Sequence, residues 1–461
     1  MHKFRQKYIG DRAFYKRYLL LAIPMIIQNA ITNLVSFLDN IMVGQLGTEQ
    51  MSGVAIVNQL IFVYNLAIFG AVSAASIFGA QYFGKGNHKG HMYSFRFKLY
   101  AALLVTGVAM LLFITNGSNL ISLYLTDTAG NGATDQALSY GKEYLAIVMT
   151  GLIPFAVNQA YATNIKETGQ TFVPMMASFA AVGSNAVLDF LLIFGIGPLP
   201  KMGVAGAALA TVISRYIEAV IVIVWAHKNR EKNRYLEGAY KGIGMPADEF
   251  KAILVKGLPL MLNEVLWAAG MTTVTQCYSV RGLDVIAGLN IATTITNLFN
   301  IVYLQLGACI SIVVGQYLGA GNLEEAKDAD NKMIVFSVFC CAVMAFLMLI
   351  LGRFFPAIYN TTDEIKALAT DFIAVSAVIM PFCSFSHASY FTLRSGGKTL
   401  VTFLFDSVFT WVIVVPVAFL LAKYTGLGIV AVYFLVQATE LIKVVIGYCM
   451  VRSNVWLVQM V

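Results

Sequence analysis

Apolar runs of about 20 residues, the length that spans a bilayer as a helix, recur along the whole chain with short polar breaks between them. Twelve can be marked, at roughly 18–43, 54–80, 97–115, 138–163, 171–196, 203–227, 252–280, 285–314, 332–352, 368–392, 401–423 and 428–451. The breaks carry loop residues, such as GKGNHKG (84–90), KETGQT (166–171), FGIGPLPKMG (194–203) and GAGNLEEAKDADN (319–331). The longest, HKNREKNRYLEGAYKG (227–242), falls at the midpoint. The pattern predicts an all-α polytopic membrane protein with twelve transmembrane helices in two pseudo-symmetric six-helix lobes. The expected divisions are a cytoplasmic leader (1–17), an N-lobe (18–227), a cytoplasmic linker (228–251), a C-lobe (252–451) and a cytoplasmic tail (452–461).

The two halves repeat one another. SIFGAQYFGKGN (76–87) returns 235 residues later as SIVVGQYLGAGN (311–322), with seven of twelve positions identical. At the same shift Pro24 falls on Pro259, Gly47 on Gly282 and Gly53 on Gly288. Further along the frame slips by about ten residues, and Pro154 then meets Pro381, Gly169 meets Gly396 and Gly203 meets Gly428. Six helices per half return the chain to the same side, so the halves are expected to be related by an axis along the membrane normal, as in transporters with parallel repeats. The glycines of the repeated stretch suit a tight cytoplasmic turn between the second and third helix of each half.

Composition supports the membrane assignment. Hydrophobic residues make up 58% and charged residues 12% of the chain, against about 25% charged in soluble domains. The basic opening, MHKFRQKYIGDRAFYKRY, is too long and polar for a signal n-region and reads as the cytoplasmic leader. With the N-terminus inside, 23 of the 31 Lys and Arg fall in or at the edge of cytoplasmic segments, which places both termini in the cytoplasm of a cell (inner or plasma) membrane protein. The net charge of +7 is then matched by the anionic inner leaflet and calls for no nucleic acid. All six cysteines lie in spans without CxxC spacing and read as small apolar residues. No Walker loop, HExxH or GxSxG is present. The chain therefore reads as no enzyme, needs no cofactor, and must draw on an ion gradient.

Charges inside the spans mark function by default. Asp39 lies near the outer end of helix 1, with Ser36, Thr32 and Gln28 on its face at helical spacing. Asp189 lies on helix 5 with Asn185 one turn earlier, and Thr211 lies on helix 6. The topology puts all of them in the outer half of the membrane. Two carboxylates in a low-dielectric pocket would share a proton; alternatively, carboxylate, amide and hydroxyl oxygens would coordinate Na⁺. The plainer reading of Asp39 is a helix cap or a bond to nearby backbone.

In FLDNIMVGQLGT (37–48), GAQYFGKGN (79–87), NAVLDFLLIFG (185–195), GVAGAALA (203–210) and the echo of these in the second half, the chain resembles the prokaryotic MATE family of multidrug and toxic compound extrusion transporters. The resemblance runs from Pro24 to the end of helix 12. It implies export of organic cations and drugs, coupled to inward H⁺ or Na⁺, by a two-lobe protein working by alternating access. It also implies an N-lobe cation site at Asp39, Asn185, Asp189 and Thr211, and a bend of helix 1 at Pro24, where a proline removes a helical hydrogen bond. In a bacterial protein the glycosylation patterns NGS (116–118) and NTT (360–362) carry no meaning.

The C-lobe departs from the family pattern. Glu264, beside Asn263, sits mid-membrane in helix 7, but the middle of helix 10 holds no acid, and His387 is the nearest titratable group there. Asn263, Glu264 and His387 are candidates for a C-lobe cation or substrate site; Glu264 would bind a cationic drug, carry a proton or bond to polar neighbours. Arg215 and Glu218 on helix 6, and Glu440 and Lys443 on helix 12, stand at i,i+3 and are expected to pair within their helices. Aromatics such as Phe37 and Tyr390 and amides such as Asn58 and Asn290 would line a cavity or bond helix to helix. The expected partners are small organic cations and the bilayer, with the chain a monomer. The rival readings are an exporter or flippase of one metabolite or lipid-linked precursor, which would want a basic cavity; a channel, which would need no coupling carboxylates; and an intramembrane enzyme, for which His387 alone is no catalytic set.

Overall fold

The computed structural model describes residues 8–125, 133–195, 200–242 and 244–461; the side chains at 35–37 and 133, among them the predicted Ser36 and Phe37, lie outside the described set. Among the described residues there are twelve helices long and apolar enough to cross a membrane. They are α1 (Arg12–Gly44), α2 (Thr48–Lys85), α3 (His88–Ser122), α4 (Thr134–Glu167), α5 (Phe172–Phe194), α6 (Val204–Lys228), α7 (Ala247–Ser279), α8 (Leu283–Gly319), α9 (Leu323–Gly352), α10 (Asp363–Ser395), α11 (Thr399–Tyr424) and α12 (Ile429–Arg452). Several overrun the apolar runs that predict them. Only Gly86 and Asn87 separate α2 from α3, because most of GKGNHKG is helical.

The interruptions within helices have local causes. α4 narrows to a 3₁₀ turn at Met149–Gly151, just ahead of Pro154; a proline has no N–H to donate to the carbonyl four residues back, here that of Thr150 inside the turn. α11 widens into two π-helical turns, Leu404–Val408 and Thr410–Val414. Such i→i+5 turns are rare and recur at functional sites.

Contacts divide the chain into two compact units. One comprises residues 27–79 and 88–251; the other comprises residues 1–26, 80–87 and 252–461. The boundary within α1 falls two residues after Pro24.

The first unit packs around Ile61, Tyr64, Ile121, Tyr144, Leu152 and Ile193. Its outer surface stays apolar: Leu104, Val108 and Leu111 on α3 recur at i, i+4 and i+7 and are all exposed, a stripe suited to lipid. At one end of α3 and α4, Lys98 is wholly buried, its ammonium 2.5 Å from both Glu167 Oε1 and Asn164 Oδ1. Gly79 makes room for this pair, since a Cβ there would lie 2.0 Å from Glu167 Oε2. The midpoint segment is tied to the same unit. Arg96 donates from Nε to Ala239 O (2.8 Å), from Nη1 to Gly244 O (2.6 Å) and from Nη2 to Gly238 O (2.7 Å).

The second unit explains why one motif occurs twice. Gly86 (φ +73) and Gly321 (φ +78) end α2 and α8 in left-handed turns. In each copy the following Asn N–H reaches back five residues, Asn87 to Tyr82 O and Asn322 to Tyr317 O, at 2.9 and 3.0 Å. This is the Schellman closure that favours glycine. The two copies also meet. A Cβ on Gly84 would lie 1.9 Å from Gln316 O, and a Cβ on Gly319 would lie 1.9 Å from Gln81 O. Residues 84 and 319, like 81 and 316, differ by the 235-residue repeat shift, so each glycine admits the other copy's glutamine backbone in a reciprocal contact. The C-terminal segment closes over it: Gln81 Nε2 donates to Ser395 O (2.9 Å), Met460 N donates to Gln81 Oε1 (2.8 Å), and Trp456 is buried.

Candidate functional site

The α5–α6 hairpin carries three of the four predicted N-lobe residues. Small side chains let the two helices close up: a Cβ on Gly206 would lie 2.7 Å from the Leu192 carbonyl carbon. Asp189 is fully buried and Asn185 nearly so, while Thr211 is half-buried. Asp39 on α1 meets Asp189: the two carboxyls lie within hydrogen-bonding reach of each other. The Asn185 amide lies alongside Asp189 without an aligned hydrogen bond. Asp39 Oδ1 and both Asp189 oxygens are buried without a hydrogen-bond partner among the described residues. Two ionised carboxylates cannot face one another in this way without a donor. The arrangement wants a proton or a cation between them, and its donors are all oxygens: two carboxyls, the Asn185 amide oxygen and the Thr211 hydroxyl. Such a hard donor set fits H⁺ or Na⁺ equally.

Tyr144 on α4 completes this cluster and was not picked out in the sequence. Its hydroxyl donates to Asn58 Oδ1 at 3.3 Å, neighbours the Thr211 hydroxyl, and lies in the field of both aspartates. Lower on the same helices, Gln28 Nε2 donates to Ser178 Oγ at 2.8 Å, and Ser178 Oγ donates to Glu218. The Gln28 end of the α1 polar stripe therefore faces α5 and α6, whereas Thr32 is exposed and bonds back to Gln28 O (2.9 Å). Pro24 lies within α1, fifteen residues before Asp39.

The expected Arg215–Glu218 ion pair is not formed. Glu218 takes Ser178, and the Arg215 guanidinium sits 5.1 Å from the Phe155 ring centre with Nη1 unpartnered among the described residues. The second intrahelical pair is likewise overturned: Lys443 reaches across to α11, where its ammonium lies 2.9 Å from Asp406 Oδ1. The lysine stem is long enough to cross to the next helix, where Asp406 is also held by Asn263.

Asp406 organises the C-lobe candidates. Asn263 Nδ2 donates to Asp406 Oδ2 (3.1 Å) and to Tyr390 OH (3.4 Å), and Asn263 Oδ1 accepts from Ser407 Oγ (2.7 Å). Glu264, the next residue, lies in the field of Asp406 and Arg394. His387 has Nδ1 2.9 Å from Cys383 O, its ring centre 4.6 Å from that of Tyr303, and Glu440, Asp406 and Lys443 as its charged neighbours. Asn263, Glu264 and His387 are thus gathered around one acid that the sequence reading passed over. The cost of charge inside a span marks Asp406 as well, but it lies on α11, whereas the partner acid was expected on helix 10. No cluster of three or more His, Cys, Asp or Glu that could hold a metal ion occurs among the described residues.

Twelve helices long and apolar enough to cross a membrane, with one sequence motif repeated in the two halves, make the fold of a polytopic membrane transporter. The chain belongs to the MatE family, whose profile matches residues 24–191 and 259–420. Relatives named "Probable multidrug resistance protein NorM" include one from Thermotoga maritima, 23% identical over 96% of this chain and 93% of its own length. Another, from Oceanobacillus iheyensis, is 25% identical over 89% of this chain and 90% of its own. Among solved structures, the outward-facing conformation of a multidrug resistance MATE family transporter of the MOP superfamily superposes with a TM-score of 0.86 at 20% identity, covering 96% of each chain. A MATE in complex with MaL6 gives 0.85 at 19% identity over 98% of this chain and 97% of that one.

Proposed function

We propose that this protein exports small organic cations across the cell membrane in exchange for inward H⁺ or Na⁺, and that it catalyses no covalent chemistry. One observation carries the reading: the Asp39 and Asp189 carboxyls face each other with three buried oxygens lacking a donor. In the cycle, a proton or Na⁺ entering from outside binds Asp39, Asp189, Asn185 and Thr211 and favours release of the organic cation. Loss of that ion inward leaves the acid pair unmatched and favours loading. Competition for negative charge gives the exchange its sense, since the two cations need not be held together. The names of the NorM relatives agree with an organic, multidrug cargo. Pro24, where α1 lacks a backbone donor, is the point at which the state of Asp39 would be passed to the shape of α1. The Lys and Arg distribution supports a cytoplasmic location for both termini.

The test is efflux of a fluorescent organic cation from proteoliposomes under an imposed pH gradient or an imposed Na⁺ gradient. One gradient should drive efflux by the wild type and fail to drive it in Asp39→Asn. Efflux by neither gradient contradicts the reading and favours an exporter or flippase of a single metabolite or lipid-linked precursor.

A further inference from the structure

The Lys443 ammonium occupies a site built for a cation. Its Nζ is 2.9 Å from Asp406 Oδ1 and 5.6 Å from the ring centres of both Phe405 and Phe409, and its side chain is 9% exposed. Two aromatic faces and a carboxylate around one ammonium are the elements that recognise organic cations elsewhere. The π-helical turn Leu404–Val408 presents Phe405 and Asp406, with Phe409 directly after it. Asn263 holds the other carboxylate oxygen at 3.1 Å and so fixes the cage wall. A second seat for the same ammonium stands nearby. Glu440, one turn earlier on α12, has a buried Oε1 with no partner among the described residues and lies in the field of Lys443.

We propose that this cage is a C-lobe binding site for lipophilic organic monocations, and that Lys443 is its tethered competitor. When cargo enters, its cationic head takes the place of the ammonium between Phe405, Phe409 and Asp406, and Lys443 swings to Glu440. Counting Asp406, Glu440 and Lys443 as ionised, the cage carries one net negative charge when empty, with Lys443 on Asp406 and Glu440 left over, and none when loaded, with cargo on Asp406 and Lys443 on Glu440; the entering monocation supplies the missing positive charge. Other titratable groups that face the cage are His387 and Cys383 on α10, which lie near Glu440 and Lys443, and Glu264 on α7 and Tyr390 on α10, which lie near Asp406. The proposal rests on the reading of the protein as an organic-cation exporter and names the cargo class and the residue that sets its affinity.

The experiment is equilibrium dialysis of tetraphenylphosphonium against the full chain in lipid nanodiscs, with proteoliposome efflux of the same ion measured in parallel. Lys443→Met removes the competitor and is expected to tighten binding about tenfold, and adding Asp406→Asn to it should abolish that gain. Glu440→Gln removes the second seat and should weaken binding about fivefold while leaving the folded yield unchanged, so the proposal stays falsifiable even if Lys443→Met does not fold. Lys443→Arg keeps the cation and should show no gain. Wild-type efflux combined with unchanged or weaker binding by Lys443→Met, or unchanged binding by Glu440→Gln, overturns this inference and leaves the export function standing. Neither binding nor efflux by the wild type overturns both.

Discussion

Lys98 gives the sharpest stability prediction. Its side chain is wholly buried, and among the described residues its ammonium donates to Glu167 and Asn164. Replacing it by Met keeps the volume but takes from the Glu167 carboxylate, itself 2% exposed, its closest cation, leaving the His91 ring, Nε2 3.4 Å from Glu167 Oε2, as a weaker basic neighbour. Removing one partner of a buried pair costs about 3–5 kcal/mol, because the remaining charge keeps its desolvation penalty and loses its compensation. Replacing both partners by neutral groups is often nearly neutral. Lys98→Met should therefore lose about 3–5 kcal/mol, and Lys98→Met/Glu167→Gln should recover most of that loss. The assay is denaturant or thermal unfolding of the detergent-purified chain, followed by tryptophan fluorescence, for all four corners of the cycle. Lys98→Met as stable as the wild type, or a double variant worse than the single, would refute the account of this pair.

Three further outcomes follow from single contacts. Gly84→Ala places a methyl about 1.9 Å from Gln316 O, so the backbones must part, and folded yield should fall far more than with Gly86→Ala, where only the left-handed turn is strained, at about 1–2 kcal/mol; equal yields would contradict the reciprocal contact. Arg96→Ala frees three carbonyls of the midpoint segment, and limited proteolysis should then cut within 234–246 at least several-fold faster than in the wild type. Tyr144→Phe removes the hydroxyl beside Thr211 and Asn58; in the efflux assay it should weaken the apparent affinity for the coupling ion about fivefold, the size of a lost hydrogen bond of about 1 kcal/mol, without changing expression.

Much of this was legible in the sequence because the bilayer imposes a length rule that the apolar runs obey. The repeat was legible because Gly84, Gly86, Gly319 and Gly321 answer to backbone geometry, which tolerates almost no substitute. Asp39 and Asp189 stood out because a charge inside a span is rare and the topology placed both at one depth. What stayed hidden needed three-dimensional neighbours. Spacing along α12 shows Lys443 only its own-helix partner Glu440, whereas the ammonium crosses to Asp406. The widened turns of α11, which set Phe405, Asp406 and Phe409 about that ammonium, leave no periodic mark in the apolar run. Tyr144 is one of 22 tyrosines in a chain where aromatics are common, and only its contact with Asn58 and Thr211 sets it apart.

Obligatory exchange at the Asp39–Asp189 pair is the central claim, and running the exchange backwards tests it most directly. Vesicles holding the protein are given an outward organic-cation gradient with no ion gradient, and internal pH and internal Na⁺ are followed with indicator dyes. The account predicts that cation leaving the vesicle drives uptake of one of the two ions by the wild type, and that Asp39→Asn and Asp189→Asn each abolish that uptake. Cation efflux accompanied by movement of neither ion, or ion uptake that survives in both variants, would contradict it.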